Sequence, residues 1–156
     1  MNKQRTKTYI IYIIGAVLVG IIGGVFAYGG MENYDMAIKP GFAPPDTVFP
    51  IVWTILYILM GYGAATISLT KSSNLKKLCL DLYRTQLTIS LIWPILFFTK
   101  SAYRFSFVIA VLLTISVASL IYFYQKLSKK AAWSQALYLI WLVFATVLNY
   151  AVWQLN

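Results

Sequence analysis

The chain has 156 residues, 60% of them hydrophobic and 11% charged, with a mean hydropathy of +0.74 and a net charge of +9. A water-soluble domain of this length needs more polar surface than that, so a soluble globular protein is excluded. Cys79 is the only cysteine and histidine is absent, which rules out an intramolecular disulfide and any Cys/His/carboxylate metal site.

Five apolar stretches predict an all-α bundle of five membrane-crossing helices, at about 9–28, 48–69, 82–98, 105–124 and 133–155. Each approaches the roughly 20 residues, at about 1.5 Å per residue, that cross the hydrocarbon. Residues 1–156 then read as one domain of a multi-pass protein of the cell membrane. The first stretch follows a basic start, as in a signal peptide, but its length exceeds an h-region and Val25-Phe26-Ala27 is a poor cleavage site. It is expected to stay as helix one. Its Ala16, Gly20 and Gly24, spaced by four, allow close approach of another helix, either inside the bundle or at a dimer seam.

The loop at 29–47 carries Pro40, Gly41, Pro44 and Pro45, which oppose a regular helix and favour a stiff cover. Tyr34 and Phe42 beside them indicate that this cover packs onto something. In the second stretch Pro50 falls in the first turn, where its missing N–H costs little, and Trp53, Tyr57, Gly61 and Ala64 share a face. In the third, Gln86, Ser90 and Trp93 fall on one side, and Pro94 predicts a kink. In the fifth, Trp141, Ala145 and Asn149 are spaced by four. Trp133, Trp153, Tyr28, Tyr103, Tyr122 and Tyr124 read as anchors at the membrane interfaces.

With five crossings, Lys3, Arg5, Lys7, Lys71, Lys76, Lys77, Arg84, Lys126, Lys129 and Lys130 fall on one side, and only Lys39, Lys100 and Arg104 on the other. The positive-inside bias of short loops makes the amino terminus cytoplasmic and the carboxyl terminus external. The basic excess is thereby explained by topology and contact with anionic lipid, and nucleic acid is not an expected partner.

Trp53, Trp93 and Asn149 each lie on the order of 8–10 Å below the outer end of their helices, with Ser90 a little deeper. Buried amides in hydrocarbon must face protein or a cavity. These groups can converge under the proline-rich loop, where tryptophan walls and a few polar groups suit a flat aromatic ligand. Spacing alone leaves two readings open: plain packing and interhelical hydrogen bonding, or a ligand pocket.

Three segments resemble the TspO/MBR family (tryptophan-rich sensory protein, translocator protein, peripheral-type benzodiazepine receptor). They are Ile38-Lys39-Pro40-Gly41-Phe42-Ala43-Pro44-Pro45 with Phe49-Pro50-Ile51-Val52-Trp53-Thr54-Ile55-Leu56-Tyr57; Gln86-Leu87 with Trp93-Pro94-Ile95-Leu96-Phe97-Phe98; and Tyr138-Leu139-Ile140-Trp141 through Asn149 to Trp153-Gln154-Leu155-Asn156. The resemblance implies a five-helix bundle, commonly a homodimer, that binds porphyrins and other tetrapyrroles as ligands. In some members it implies cholesterol or benzodiazepine-type drugs. It implies a pocket beneath the first loop lined by Tyr34, Phe42, Pro44, Pro45, Trp53, Tyr57, Ser90, Trp93, Trp141, Ala145 and Asn149, with Gln86 added from the helix-three face.

Departures from the family pattern are Phe42 for a common tryptophan, Ser90 for an asparagine, and Leu137 for a proline, which makes helix five straighter. Tyr150 has no Lys or Arg after it, so the weak cholesterol pattern is incomplete. No cofactor is required by this reading. With no imidazole to ligate iron, metal-free porphyrin is expected to bind at least as well as haem. Lys39 is positioned in the loop to meet porphyrin propionates.

The chain carries no acid–base pair, nucleophile or metal within the membrane, which opposes conventional catalysis. The resemblance leaves open light-driven porphyrin breakdown dependent on Trp53 and Trp141, and facilitated passage of apolar ligands. The expected role is that of a sensor, carrier or scavenger of such ligands.

Overall fold

The computed structural model describes residues 3–156 and is all-helical over them. The helices are α1 (Lys3–Gly29), the short α2 (Met31–Met36), α3 (Val48–Ser68), α4 (Asn74–Pro94), α5 (Tyr103–Leu127) and α6 (Lys129–Leu155). A π-helical turn, Ile95–Thr99, extends α4. By length and composition α1, α3, α5 and α6 can each cross a membrane, so the chain is a multi-pass membrane protein. The fifth long helix, α4, carries Lys76, Lys77, Asp81 and Arg84 in its first three turns.

Several boundaries differ from those the apolar pattern predicts. Helix α4 starts eight residues before position 82. Ser73 caps it by accepting from the Lys76 N–H at 3.1 Å, and Leu75 and Cys79 pack into the core despite the charged neighbours. The 29–47 loop contains α2, which forms ahead of the prolines rather than through them. Pro94 does not simply kink its helix. It cannot supply an N–H, and the hydrogen-bond register widens after it: the Lys100 N–H donates to the Ile95 carbonyl at 3.0 Å and that of Ala102 to Leu96 at 2.8 Å. Ser101 then takes a positive φ of 49° to reverse the chain into α5.

The helix ends gather into two groups. At one, the basic end, the Tyr9 hydroxyl lies 3.1 Å from that of Thr66, and the Tyr12 ring packs on Tyr83. Lys76 Nζ donates to the Ser68 and Thr70 carbonyls there. At the other, the lid end, Thr99 Oγ1 donates to the Phe26 carbonyl at 3.0 Å, and Asn33 Nδ2 donates to the Phe98 carbonyl at 3.1 Å. Asn156 closes the lid onto α6. Its Oδ1 accepts from the Ile38 N–H at 3.0 Å and its Nδ2 donates to the Ile38 carbonyl at 3.1 Å.

Two side-chain clusters follow the same division. Leu56, Met60, Ala64, Ile67, Cys79, Tyr83, Val117, Leu120 and Tyr124 pack toward the basic end; Tyr34, Phe49, Trp93, Phe97, Phe98 and Tyr103 pack at the lid end. Tyr103 and Tyr124 are therefore core residues and not interfacial anchors, whereas Tyr28 (85% exposed), Tyr122 and Trp133 (77% exposed) are free to meet lipid. Trp153 is half-buried against Phe107 and Tyr150. Of the small-residue stripe on α1, Ala16 is buried and Gly20 sits under the Tyr57 ring, where a Cβ would overlap it. Ala16 and Gly20 are thus used inside the bundle, while a Cβ at Gly24 would meet no atom within 4 Å.

Candidate functional site

A cavity of about 520 Å³ lies between α1, α3 and α4 in the lid half, within the roughly 300–1,000 Å³ typical of small-molecule sites. Helix α1 contributes Val17, Gly20, Gly23, Gly24 and Ala27. Helix α3 contributes Phe49, Trp53 and Tyr57; α4 contributes Ser90, Trp93 and Pro94, followed by Phe98. Met31, Asp46 and Thr47 approach from the lid.

Helical spacing sets this wall. Trp53 and Tyr57 are one turn apart with ring centroids separated by 5.8 Å, and Trp53 lies 6.1 Å from Trp93 across the α3–α4 gap. Trp93 in turn stacks on Phe97 at 5.1 Å with planes 16° apart, so its ring is held in one orientation. The polar groups are few and mostly occupied. Ser90 Oγ donates to the Leu87 carbonyl at 2.8 Å, so in its 3.3 Å contact with the Tyr57 hydroxyl the phenol must be the donor. The spare capacity of that pair is for accepting. Thr54 Oγ1 likewise donates to Pro50 of its own helix at 2.7 Å.

Of the residues expected at the site, Trp53, Tyr57, Ser90 and Trp93 line this cavity, and the others do not. Asn149 is fully buried behind Trp93. Its Oδ1 accepts from the indole N–H at 3.0 Å and its Nδ2 donates to the Tyr103 carbonyl at 2.9 Å, leaving it a positioning group for the tryptophan. Ala145 is buried. Trp141 stands on the far side of Phe49, in edge contact at 6.1 Å, and its indole N–H has no partner among the described residues. With Val52, Ile55, Leu137, Ile140 and Phe144 it lines a separate apolar groove between α3 and α6. Gln86 is fully buried between Tyr83 and Ser90 on the inner stripe of α4, with neither amide atom hydrogen-bonded among the described residues.

The lid residues serve the lid. Tyr34 is buried against Phe49, Phe97 and Phe98, with Lys39 Nζ 4.2 Å above its ring. Burial, and then the carboxylates of Asp46 and Asp35, push its phenol up to about 12. Lys39 pairs with Asp35 at 2.8 Å and Asp46 at 3.6 Å. Partial burial works against the ammonium, but these two carboxylates outweigh it and raise its pKa, while the hydrogen bond from Lys39 lowers that of Asp35. Lys39 is thus committed to the lid, contrary to its expected role of meeting a ligand acid, and Asp46 is the charged side chain that reaches the cavity. Phe42 is half-exposed and touches Phe144 at 6.4 Å. Pro44 and Pro45 shape the segment, with the Val48 N–H donating to the Pro45 carbonyl at 2.9 Å.

Pattern reading missed the α1 wall, because Gly20 and Gly24 read as packing residues and Gly23 lies outside their four-residue spacing. It also missed Gln135, which is buried and donates from Nε2 to the Leu59 carbonyl at 3.0 Å. An amide inside an apolar stretch was its signal, the same that marks Asn149.

The family model described as TspO/MBR family matches residues 12–154. The chain belongs to the TspO/MBR family. Among its relatives, the tryptophan-rich protein TspO of Chlorobaculum tepidum is 34% identical over 158 residues, covering 100% of this chain and 99% of the relative. Protein CrtK of Rhodobacter capsulatus is 30% identical over 149 residues, covering 95% and 92%. The human translocator protein is 33% identical over 138 residues, covering 86% and 82%. TspO/MBR membership spans all five long helices, so the cavity is built wholly from the matched segment.

Proposed function

We propose that this TspO/MBR protein binds porphyrins, or similar flat hydrophobic ligands, in the α1–α3–α4 cavity and acts as their sensor, carrier or scavenger. One observation carries the reading: Trp53 and Trp93 form the wall of an apolar cavity of about 520 Å³, with Trp93 locked in place by Phe97 and Asn149. Indole faces at fixed positions give a macrocycle a stacking surface at little entropic cost. In this reading all five long helices cross the cell membrane, with the basic end cytoplasmic and the lid outside, and the protein works as a homodimer. The alternative, light-driven breakdown of the ligand, rests on Trp53 and Trp141; Trp53 lines the cavity whereas Trp141 stands beyond Phe49, so in that reading Trp93 takes its place.

Titration of the purified protein with protoporphyrin IX, followed by tryptophan quenching and visible absorbance, tests this. Saturable quenching is expected, weakened about tenfold by Trp53→Ala and changed less than about threefold by Trp141→Phe, since stacking contributes on the order of 1 kcal/mol beyond area burial. Metal-free protoporphyrin should bind at least as tightly as haem, because the chain has no histidine to take the iron. Non-saturable quenching, or equal loss with both variants, removes the reading.

A further inference from the structure

We propose that ligands reach this cavity sideways from the lipid phase, through a seam between α1 and α3 whose lips are Gly24 and Thr54, and not through the lid. The inference rests on the ligand-binding reading above and adds the source and route of the ligand.

The seam follows from how α1 divides its contacts. Toward the basic end α1 is fastened to α3. Tyr9 stacks on Tyr62 at 5.4 Å, and Gly61 sits so close to the Ile13 backbone that a Cβ there would overlap it. The last tight contact is Gly20 under the Tyr57 ring. Beyond it α1 is fastened to α4 instead. A Cβ at Gly23 would come to ordinary contact with Leu91 and Pro94 at 3.7 Å and, on α3, with the tip of the Tyr57 side chain alone at 3.8 Å; Thr99 bonds the Phe26 carbonyl; and Gly30 meets the Phe98 backbone too closely for any side chain. A helix held by α3 below and by α4 above must part from α3 in its upper half. A Cβ added at Gly24 would meet no atom within 4 Å, although Gly24 lines the cavity.

The facing lip is equally low. Pro50 and Thr54 are exposed on α3 yet also line the cavity, and the Thr54 hydroxyl proton is taken up by the Pro50 carbonyl, so the lip offers no free donor. The rim is Ile21, Val25 and Ile51, all exposed, an apolar surface that acyl chains cover.

The route through the lid is closed by comparison. Asn156 grips both backbone groups of Ile38, Lys39 bridges Asp35 and Asp46, and Phe42 leans on Phe144. Entry there breaks hydrogen bonds and ion pairs. Entry through the seam exchanges one apolar neighbour for another, which costs little in lipid.

The test uses the full chain in lipid nanodiscs and stopped-flow mixing with protoporphyrin IX. Gly24→Leu and Thr54→Leu narrow opposite lips, and Lys39→Ala loosens the lid. Each lip variant is expected to slow association and dissociation, each at least tenfold, whatever the change in Kd, and Lys39→Ala to change the rates less than threefold. Lip variants with rates within threefold of the parent overturn the proposal. So does slowing in one direction only, which reports a damaged site, or acceleration by Lys39→Ala. If the parent does not bind protoporphyrin, the function reading falls and the seam is read without it. A diazirine placed on a lipid acyl chain should then label Tyr57 or Trp93 in the parent and not in Gly24→Leu; no such labelling in the parent overturns the route.

Discussion

The same two helices, α1 and α3, touch backbone to backbone at the basic end and stand apart at the lid end. Below, Gly61 admits the Ile13 backbone and Tyr9 reaches Thr66; above, Gly24 faces open space. Small residues occur in both halves, yet they do opposite things. In one they permit close approach, because a partner is drawn in over them. In the other the partner is pulled away, since α1 is tied to α4 through Phe26, Gly30 and Thr99. A glycine in a membrane helix is thus a statement about packing only once the neighbour that covers it is known.

The sharpest way to break this contrast is to place the same side chain at both glycines. Gly61→Ala forces a Cβ against the Ile13 backbone and should lower stability by about 2 kcal/mol, whereas Gly24→Ala should change it by less than about 0.5 kcal/mol, read by thermal unfolding in detergent. Equal effects would mean that the two halves are packed alike.

Next in size is Asn149→Leu. It leaves the Trp93 indole N–H without a partner in the core, while the Tyr103 carbonyl keeps the Ser106 hydroxyl, a loss of about 2 kcal/mol. Because Trp93 is then released toward the cavity, ligand quenching should weaken as well. Stability lost with ligand affinity intact would separate the amide from the cavity wall.

A smaller effect is expected at Asp46, the charged residue on the cavity wall. Asp46→Asn should tighten binding of protoporphyrin, a dicarboxylate, by about threefold at low salt and leave its neutral dimethyl ester unchanged, since an exposed charge contributes up to about 1 kcal/mol. An equal gain for both ligands would assign the effect to shape.

The smallest concerns pH. The Lys39 hydrogen bond depresses the Asp35 pKa, so its contribution to the lid is present above the ordinary carboxylate value and lost as pH falls through the lowered one. Lys39 is raised, so its contribution is full below its ordinary value and lost only as pH rises through the raised one. Hydrogen exchange of residues 34–40, corrected for intrinsic rates, should be flat through neutrality and rise a few-fold in acid. The basic end should show no such change.

Much of this division can be read from residue order, and the reason for the remainder is physical. Uninterrupted apolar length marks α1, α3, α5 and α6, because hydrocarbon tolerates little else. Helical spacing brings Trp53, Tyr57, Ser90 and Trp93 to one wall, because period 3.6 fixes which side chains share a face. Spacing does not say which neighbouring helix that face meets. Trp141 and Asn149 have the same spacing logic as Trp53, yet one lies beyond Phe49 and the other behind Trp93. The start of α4 is hidden by its lysines, since a helix end in the interface keeps charges that a span cannot. The π turn after Pro94 depends on a missing donor, and sequence announces the break without its geometry.

Ser128 is the sole residue between α5 and α6; it ends one helix and caps the other by accepting from the Ala131 N–H at 3.4 Å. Across that hinge Thr114 meets Thr146 at 3.1 Å, and the Asn149 amide reaches Tyr103. The last two rods consequently form a hairpin joined by two polar contacts of its own. Such a unit can enter the bilayer as a pair with those contacts made, while the Gln135 amide and the Asn149 oxygen find their partners, Leu59 and Trp93, only when α3 and α4 dock.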